Sequence, residues 1–164
     1  MNVLVVSTNR SASPVPVMPA GACMVAEAAE RAGHSVGMLD LMFEHDPLRT
    51  VEAALKKREY DVIGLSVRNI DNNDMHEPAF YIRELFPLLD LIRKRSDAPI
   101  VLGGASLTVM PGEILRATGV GLAVTGDGEA IFPRVLDRMS RGEACGDLPG
   151  VALREGGTFR VNAS

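Results

Sequence analysis

Between residues 124 and 130 the chain reads Val-Thr-Gly-Asp-Gly-Glu-Ala. Gly126 and Gly128 bracket the carboxylate of Asp127, and Glu129 follows directly. Residues of these types at this spacing suit a phosphate cradle of backbone amides, a carboxylate metal loop, or a tight strand-to-helix turn. A dinucleotide cradle needs a third glycine, in the pattern G-x-G-x-x-G, and none stands there. A calcium loop needs more oxygen ligands over a longer stretch. Glu129 at a helix start is favoured by the helix dipole whatever the function. The turn takes its meaning from the loops that share its edge of the fold.

Three other stretches carry chemistry-capable side chains. Residues 7–21, STNRSASPVPVMPAG, hold hydroxyls, Arg10 and three prolines, with no glycine before Gly21. Ordinary strand-to-helix loops run about 2–6 residues, so this one is built to reach over something wide. Residues 66–78, SVRNIDNNDMHEP, concentrate Arg68, Asn69, Asp71, Asn72, Asn73 and Asp74. Amide side chains both donate and accept, which suits a ligand bearing many amides. Residues 103–108, GGASLT, open with paired glycines that permit close approach of a backbone or a flat ligand. No Gly-Lys-Ser/Thr of a Walker loop occurs anywhere. Cys23 and Cys145 are too few for a metal centre of their own, and His34 and His45 lack metal-ligand spacing. No nucleophile–base pair or acid/base dyad capable of catalysis stands out, so no catalytic residue and no metal ligand is assigned.

The elements that must position these loops follow from periodicity. Continuous apolar runs at Asn2 to Ser7, Ser35 to Leu39, Asp61 to Val67, Pro99 to Leu102 and Val120 to Val124 read as buried strands. Helical patterns separate them: Ala20 to Ala32, Leu48 to Glu59, a long helix from about Ala79 to Arg95 interrupted at Pro87, Pro111 to Thr118, and Glu129 to Arg141. This alternation specifies an α/β fold: a doubly wound, flavodoxin-like (Rossmann-like) five-stranded parallel sheet of order 2-1-3-4-5. Gly150 to Leu153 and Thr158 to Val161 add a C-terminal β-hairpin. Ligands of such sheets bind beyond the carboxyl ends of the strands, where all four loops converge.

Composition narrows the partners. The chain has 164 residues, 46% of them hydrophobic, enough for one domain with a substantial core. A net charge of −4 and an aromatic content of 4% argue against nucleic acid. No signal peptide is recognisable, and no apolar run approaches the ~18 residues of a membrane span. Two distant thiols read as reduced, which places the chain in the cytoplasm. Phosphoacceptor chemistry of response regulators fails, because Thr8-Asn9, Ser66 and Thr125-Gly126 occupy the positions where acids, an Asp and a Lys would be required. An FMN-binding redox protein stays open, since Ser7, Thr8, Ser11 and Ser13 could cap a phosphate, although aromatic residues to sandwich the flavin are missing. A non-enzymatic interaction or sensory domain stays open as well.

Taken together, four segments resemble the N-terminal cobalamin (B12)-binding domain of B12-dependent radical SAM enzymes. They are Pro19 to Leu41, Asp61 to Asp74, Pro99 to Leu115, and Val124 to Gly157 with its G-D-G-E turn and LPGVALREGG tail. The resemblance implies that residues 1–145 form a cobalamin-binding domain and that residues 146–164 lead toward a radical SAM domain. That domain would hold S-adenosylmethionine and a 4Fe-4S cluster, and its C-x-x-x-C-x-x-C motif is not in this chain. It further implies a corrinoid whose dimethylbenzimidazole tail leaves the cobalt and is buried alongside the sheet. Asp74-Met75-His76 has the D-x-H spacing of the cobalt-ligating histidine, but it lies after the third strand, and Ala79 stands where glycine is expected. Binding is therefore expected base-off and without a histidine ligand. The implied cofactor contacts are Thr8, Asn9, Arg10 and Ser11; Ser66, Val67, Arg68, Asn69, Asp71 and Asn72; Gly103, Gly104, Ala105 and Ser106; and Gly126, Asp127, Gly128 and Glu129. The resemblance points to methyl transfer as the reaction of the whole enzyme, and to no catalysis by this chain alone.

Overall fold

Asn2–Ser7, a run of β-branched and apolar residues, forms the strand β1, which has neighbours on both sides. The structure, a computed structural model, describes residues 1–12, 15–72, 76 and 80–163. β1 pairs in parallel with β2 (Ser35–Asp40) on one side and β3 (Val62–Ser66) on the other. β4 (Ile100–Gly103) and β5 (Leu122–Val124) continue the parallel ladder. β6 (Val151–Glu155) then pairs antiparallel with β5, and β7 (Thr158–Val161) antiparallel with β6. Among the described residues the sheet has seven strands, in the order β2-β1-β3-β4-β5-β6-β7. The expected order 2-1-3-4-5 is present, and the hairpin extends that same sheet.

Specific bonds dock the hairpin. The Thr125 backbone N–H and hydroxyl both donate to the Gly150 carbonyl, at 2.7 and 3.1 Å. The Asn162 amide donates to the carbonyls of Gly146 and Leu148, each at 2.8 Å. β7 therefore returns the chain to the edge where the parallel strands end.

The helices are α1 (Ala20–Arg31), α2 (Pro47–Lys57), α3 (Leu85–Arg95), α4 (Ala105–Val109), α5 (Pro111–Thr118) and α6 (Gly128–Ser140). Asp46 caps α2 by accepting from the Arg49 N–H at 3.1 Å, with Pro47 in the first turn, where its missing donor does no harm. The long helix expected from about Ala79 is two pieces among the described residues. Tyr81–Glu84 forms a 3₁₀ turn, and α3 begins at Leu85, which places Pro87 in its first turn. Residues 105–109, read from sequence as loop, form the short α4.

Alternation along the strands sorts their side chains by size. Leu4, Val6, Ile63, Leu65 and Leu102 face α2, α3 and α5 and pack with Leu88, Leu89, Ile92 and Leu115. Val3, Val5, Val62, Val101 and Val124 face α1 and α6. α1 presents only Ala22, Ala26 and Ala29 as buried residues, spaced to one side of the helix. One face is filled with leucine and isoleucine; on the other the strands and α1 present mostly valine, alanine and glycine, and the larger side chains, Ile131, Phe132 and Leu136, come from α6.

At the amino edge of the sheet His34 is buried, with 6% of its side chain exposed. Its Nδ1 is 3.4 Å from the Met1 amine, and its Nε2 is 3.6 Å from the Asp137 carboxylate, too long for a direct hydrogen bond. Burial pushes its pKa below the ordinary 6.5, the Met1 amine adds to that, and Asp137 opposes it. Below its ordinary value of 6.5 the unfolded chain therefore binds a proton that the folded chain resists. The stability contributed is whole above that pH and is lost as pH falls through the lowered folded-state value. Melting temperature is expected to decline as pH falls below this point. His34→Gln is expected to flatten that part of the profile, as measured by thermal melts across pH.

Candidate cofactor-binding site

The parallel register writes the site in rows. Ser7, Ser66 and Gly103 align across β1, β3 and β4 at the carboxyl edge. Two residues deeper, about 7 Å along the strands, Val5, Gly64 and Val101 form the next row on the same face. Above these rows, between α1 and α6, lies a cleft of about 520 Å³. That is within the range of roughly 300–1,000 Å³ typical of small-molecule sites.

Its floor and walls are apolar: Val5, Val101 and Val124 from the strands, Ala22 and Val25 from α1, Phe132 from α6. A side chain at Gly64 would meet the Phe132 ring at 3.3 Å, so the glycine lets the ring lie against the sheet. Its mouth is polar, with Ser66, Thr108, Asp127 and Glu129. Among the described residues, no Lys, Arg or His lines the cleft.

Glycine is required at two points of the mouth. Gly104 has φ +94°, and a Cβ there would lie 2.5 Å from the Val67 carbonyl oxygen. At Gly128 a Cβ would lie 2.9 Å from a Val25 methyl, so this residue sets how closely α6 approaches α1. Gly126, at φ +73°, turns the chain from β5 into α6, and its N–H donates to the Thr108 hydroxyl at 3.0 Å.

The edge loops are tied to one another. The Thr8 N–H and hydroxyl both donate to the Ser66 carbonyl, at 3.1 and 3.0 Å. The Val67 N–H donates to the Gly103 carbonyl at 2.7 Å, and the Ser106 N–H to the Val67 carbonyl at 3.2 Å. The Tyr81 hydroxyl donates to Ser11 Oγ at 3.1 Å. The Ser106 hydroxyl is buried without a partner among the described residues.

Of the residues expected at the site, Ser66, Gly103, Gly104, Ala105, Gly126, Asp127, Gly128 and Glu129 line the cleft. Thr8 and Arg10 line a separate hollow beside α2 and α3, where the Arg10 guanidinium donates to the Glu44 carbonyl at 3.2 Å. Asn9 accepts from the Ser11 N–H at 3.3 Å and the Asn69 amide at 3.5 Å, outside the cleft. Arg68 is exposed, Val67 and Ser106 are buried behind the mouth, and Asp71 pairs with Phe80 in an isolated bridge. Asn72 and His76 are exposed on that same loop, and among the described residues Ser66 is its one contribution to the cleft wall. Ser13, Asn73, Asp74, Met75, Pro78 and Ala79 lie outside the described residues. Sequence reasoning missed Val25, Gly64 and Phe132. Gly64, inside a buried strand where glycine is otherwise unfavourable, was the signal that a close approach occurs there.

A glycine-lined apolar cleft with a polar mouth, at the carboxyl edge of a flavodoxin-like sheet, is the place where a domain of this class holds a cofactor. The chain belongs to the B12 binding domain family, whose model matches residues 7–136. It is 25% identical over 144 residues to tryptophan 2-C-methyltransferase of Streptomyces laurentii, covering 86% of this chain and 24% of that one. It superposes on the radical S-adenosylmethionine methyltransferase TsrM of Kitasatospora setae with cobalamin and a [4Fe-4S] cluster bound. There the TM-score is 0.90 at 28% identity, over 99% of this chain and 29% of that chain. The cobalamin-dependent S-adenosylmethionine radical enzyme OxsB shares the fold, with a TM-score of 0.77 at 18% identity over 99% of this chain and 22% of that chain. The chain thus spans about a quarter of the length of the curated relative it matches.

Two substitutions test the mouth. Gly104→Ala is expected to destabilise the fold by about 1–3 kcal/mol through its left-handed backbone and the Val67 clash. Gly128→Ala adds a methyl group against a movable Val25 side chain and is expected to cost less than Gly104→Ala. Urea titrations of both variants against the parent measure the difference.

Proposed function

We propose that this chain holds a corrinoid base-off, with its nucleotide tail in the cleft between α1 and α6 and without a histidine on the cobalt. The observation that carries this reading is the cleft itself, an apolar slot running down the sheet from a polar mouth. The flat lower base of a cobalamin fits such a slot, and the glycines at Gly103, Gly104, Gly126 and Gly128 leave room for it to enter. Family membership supports the choice of cofactor. The first loop, residues 8–19, contains no histidine, which supports a cobalt without a protein imidazole.

Bound corrinoid would supply a cobalt centre able to carry a methyl group. This chain's residues bind and orient: the valine and Phe132 floor excludes water, and the Ser66 and Thr108 hydroxyls at the mouth offer hydrogen bonds. Thr8, Asn9, Arg10, Ser11, Arg68, Asn69, Asp71, Asn72 and Ser106 stand around or behind the mouth, where the wide corrin ring and its amides would lie. Ala105 lines the mouth, and Val67 holds the loops behind it through its backbone bonds to Gly103 and Ser106.

The proposal extends to the whole protein. Residues 1–145 are the corrinoid unit, and residues 146–164 lead toward a radical SAM domain that holds S-adenosylmethionine and a 4Fe-4S cluster. β7 returning to the carboxyl edge supports this, as does the greater length of the relatives. Exposed Val15, Val17, Met18, Val109 and Met110 give that edge an apolar rim for the corrin and the second domain to cover. The reaction of the whole enzyme is methyl transfer. The free thiols Cys23 and Cys145 suit the cytoplasm, and among the described residues no helix is long and apolar enough to cross a membrane.

Incubation with hydroxocobalamin or FMN, followed by desalting and visible spectroscopy, tests the reading. Retained corrinoid with a base-off spectrum is expected. Retention of FMN instead, or of neither, contradicts it.

A further inference from the structure

The depth of the cleft carries a second consequence, which rests on the corrinoid reading above. The row of Val5, Gly64 and Val101 lies about 7 Å below the mouth. The backbone amides and carbonyls of these residues are committed to neighbouring strands on both sides. Phe132 closes the row from above, its ring against Gly64. Among the described residues the floor therefore offers no hydrogen-bond donor or acceptor, and the polar groups of the site, among them Ser66 and Thr108, are confined to the mouth.

We infer that this floor selects corrinoids by the chemistry of their lower base, accepting a benzimidazole and rejecting a purine. The far edge of dimethylbenzimidazole is hydrocarbon and loses nothing on burial against valine and phenylalanine. The far edge of adenine carries an amine donor and ring-nitrogen acceptors that bond to water outside the cleft and to nothing inside it. Ser66 at the mouth serves only the near edge. One buried group left unsatisfied weakens binding by roughly ten- to hundredfold. Discrimination of this kind, by unpaired polar groups and not by size, is the strong form available to a binding site.

Equilibrium binding of three corrinoids to the purified chain tests the inference: hydroxocobalamin, its adenine-based counterpart, and cobinamide, which lacks the nucleotide. Hydroxocobalamin is expected to bind at least about tenfold more tightly than the adenine form, with cobinamide weaker than hydroxocobalamin. Val101→Thr places a hydroxyl on the floor while keeping side-chain shape and strand propensity, and Val5→Thr does so on the neighbouring strand. Either variant that keeps the parent's cooperative thermal melt is expected to bring the ratio of the two affinities toward one. Equal affinity for benzimidazole and adenine forms overturns the inference and leaves the corrinoid reading standing. A preference that both folded variants leave unchanged also overturns it. Cobinamide binding as tightly as hydroxocobalamin overturns it, because the tail then gains nothing from the cleft. Binding of none of the three overturns the corrinoid reading as well.

Discussion

The register of the parallel ladder is the constraint on which the rest depends. Because β1, β3 and β4 run in the same direction with Val5, Gly64 and Val101 side by side, one glycine opens a notch, in a face otherwise lined by valine, that takes the Phe132 ring into the floor. A slip of one residue would carry Leu4, Ile63 or Leu102 to that face and fill the notch with leucine and isoleucine. The same register puts Ser66 and Gly103 at the mouth, two residues above. Polarity at the entrance and hydrocarbon at the bottom are two consequences of a single alignment of strands.

Side-chain volume then decides which face becomes the site. Leucine and isoleucine from α2, α3 and α5 close one side of the sheet. On the other side α1 brings only alanines to the core, and Gly128 admits the start of α6 to close range of Val25. Helices so placed form walls without filling the space between them near the carboxyl edge. The hydrogen bonds from Thr8 to Ser66, Val67 to Gly103 and Gly126 to Thr108 bind the loops into a continuous rim around that space. A rim held by such backbone and hydroxyl bonds is set before any ligand arrives, which reduces the ordering cost of binding.

Much of this was legible in the chain before its structure. Alternating apolar runs and helical patterns specified the sheet order, and glycines after the fourth and fifth strands marked the mouth. What escaped had physical reasons. Val25 and Phe132 repeat at helical spacing and read as ordinary core, because a cleft wall and a core face have the same periodicity. α4 spans only five residues, too short for periodicity to register. Thr8 and Arg10 belong to a loop that stands beside the cleft, yet a hydroxyl turned back onto Ser66 and a guanidinium on the Glu44 carbonyl lie outside its lining. Distinguishing such side chains from those that reach inward needs the three-dimensional path of the loop, which one sequence does not encode in its composition.

In the proposed arrangement the lower base of the corrinoid occupies the cleft, leaving the cobalt without a nitrogen ligand from either the base or the protein. Electron paramagnetic resonance of the Co(II) corrinoid bound to this chain tests that directly. An axial nitrogen splits the cobalt lines through its nuclear spin, whereas oxygen of water does not. The account predicts bound corrinoid with unsplit cobalt lines. Triplet nitrogen splitting in the bound species would contradict it, because the base or a histidine would then occupy the position the cleft is held to leave free.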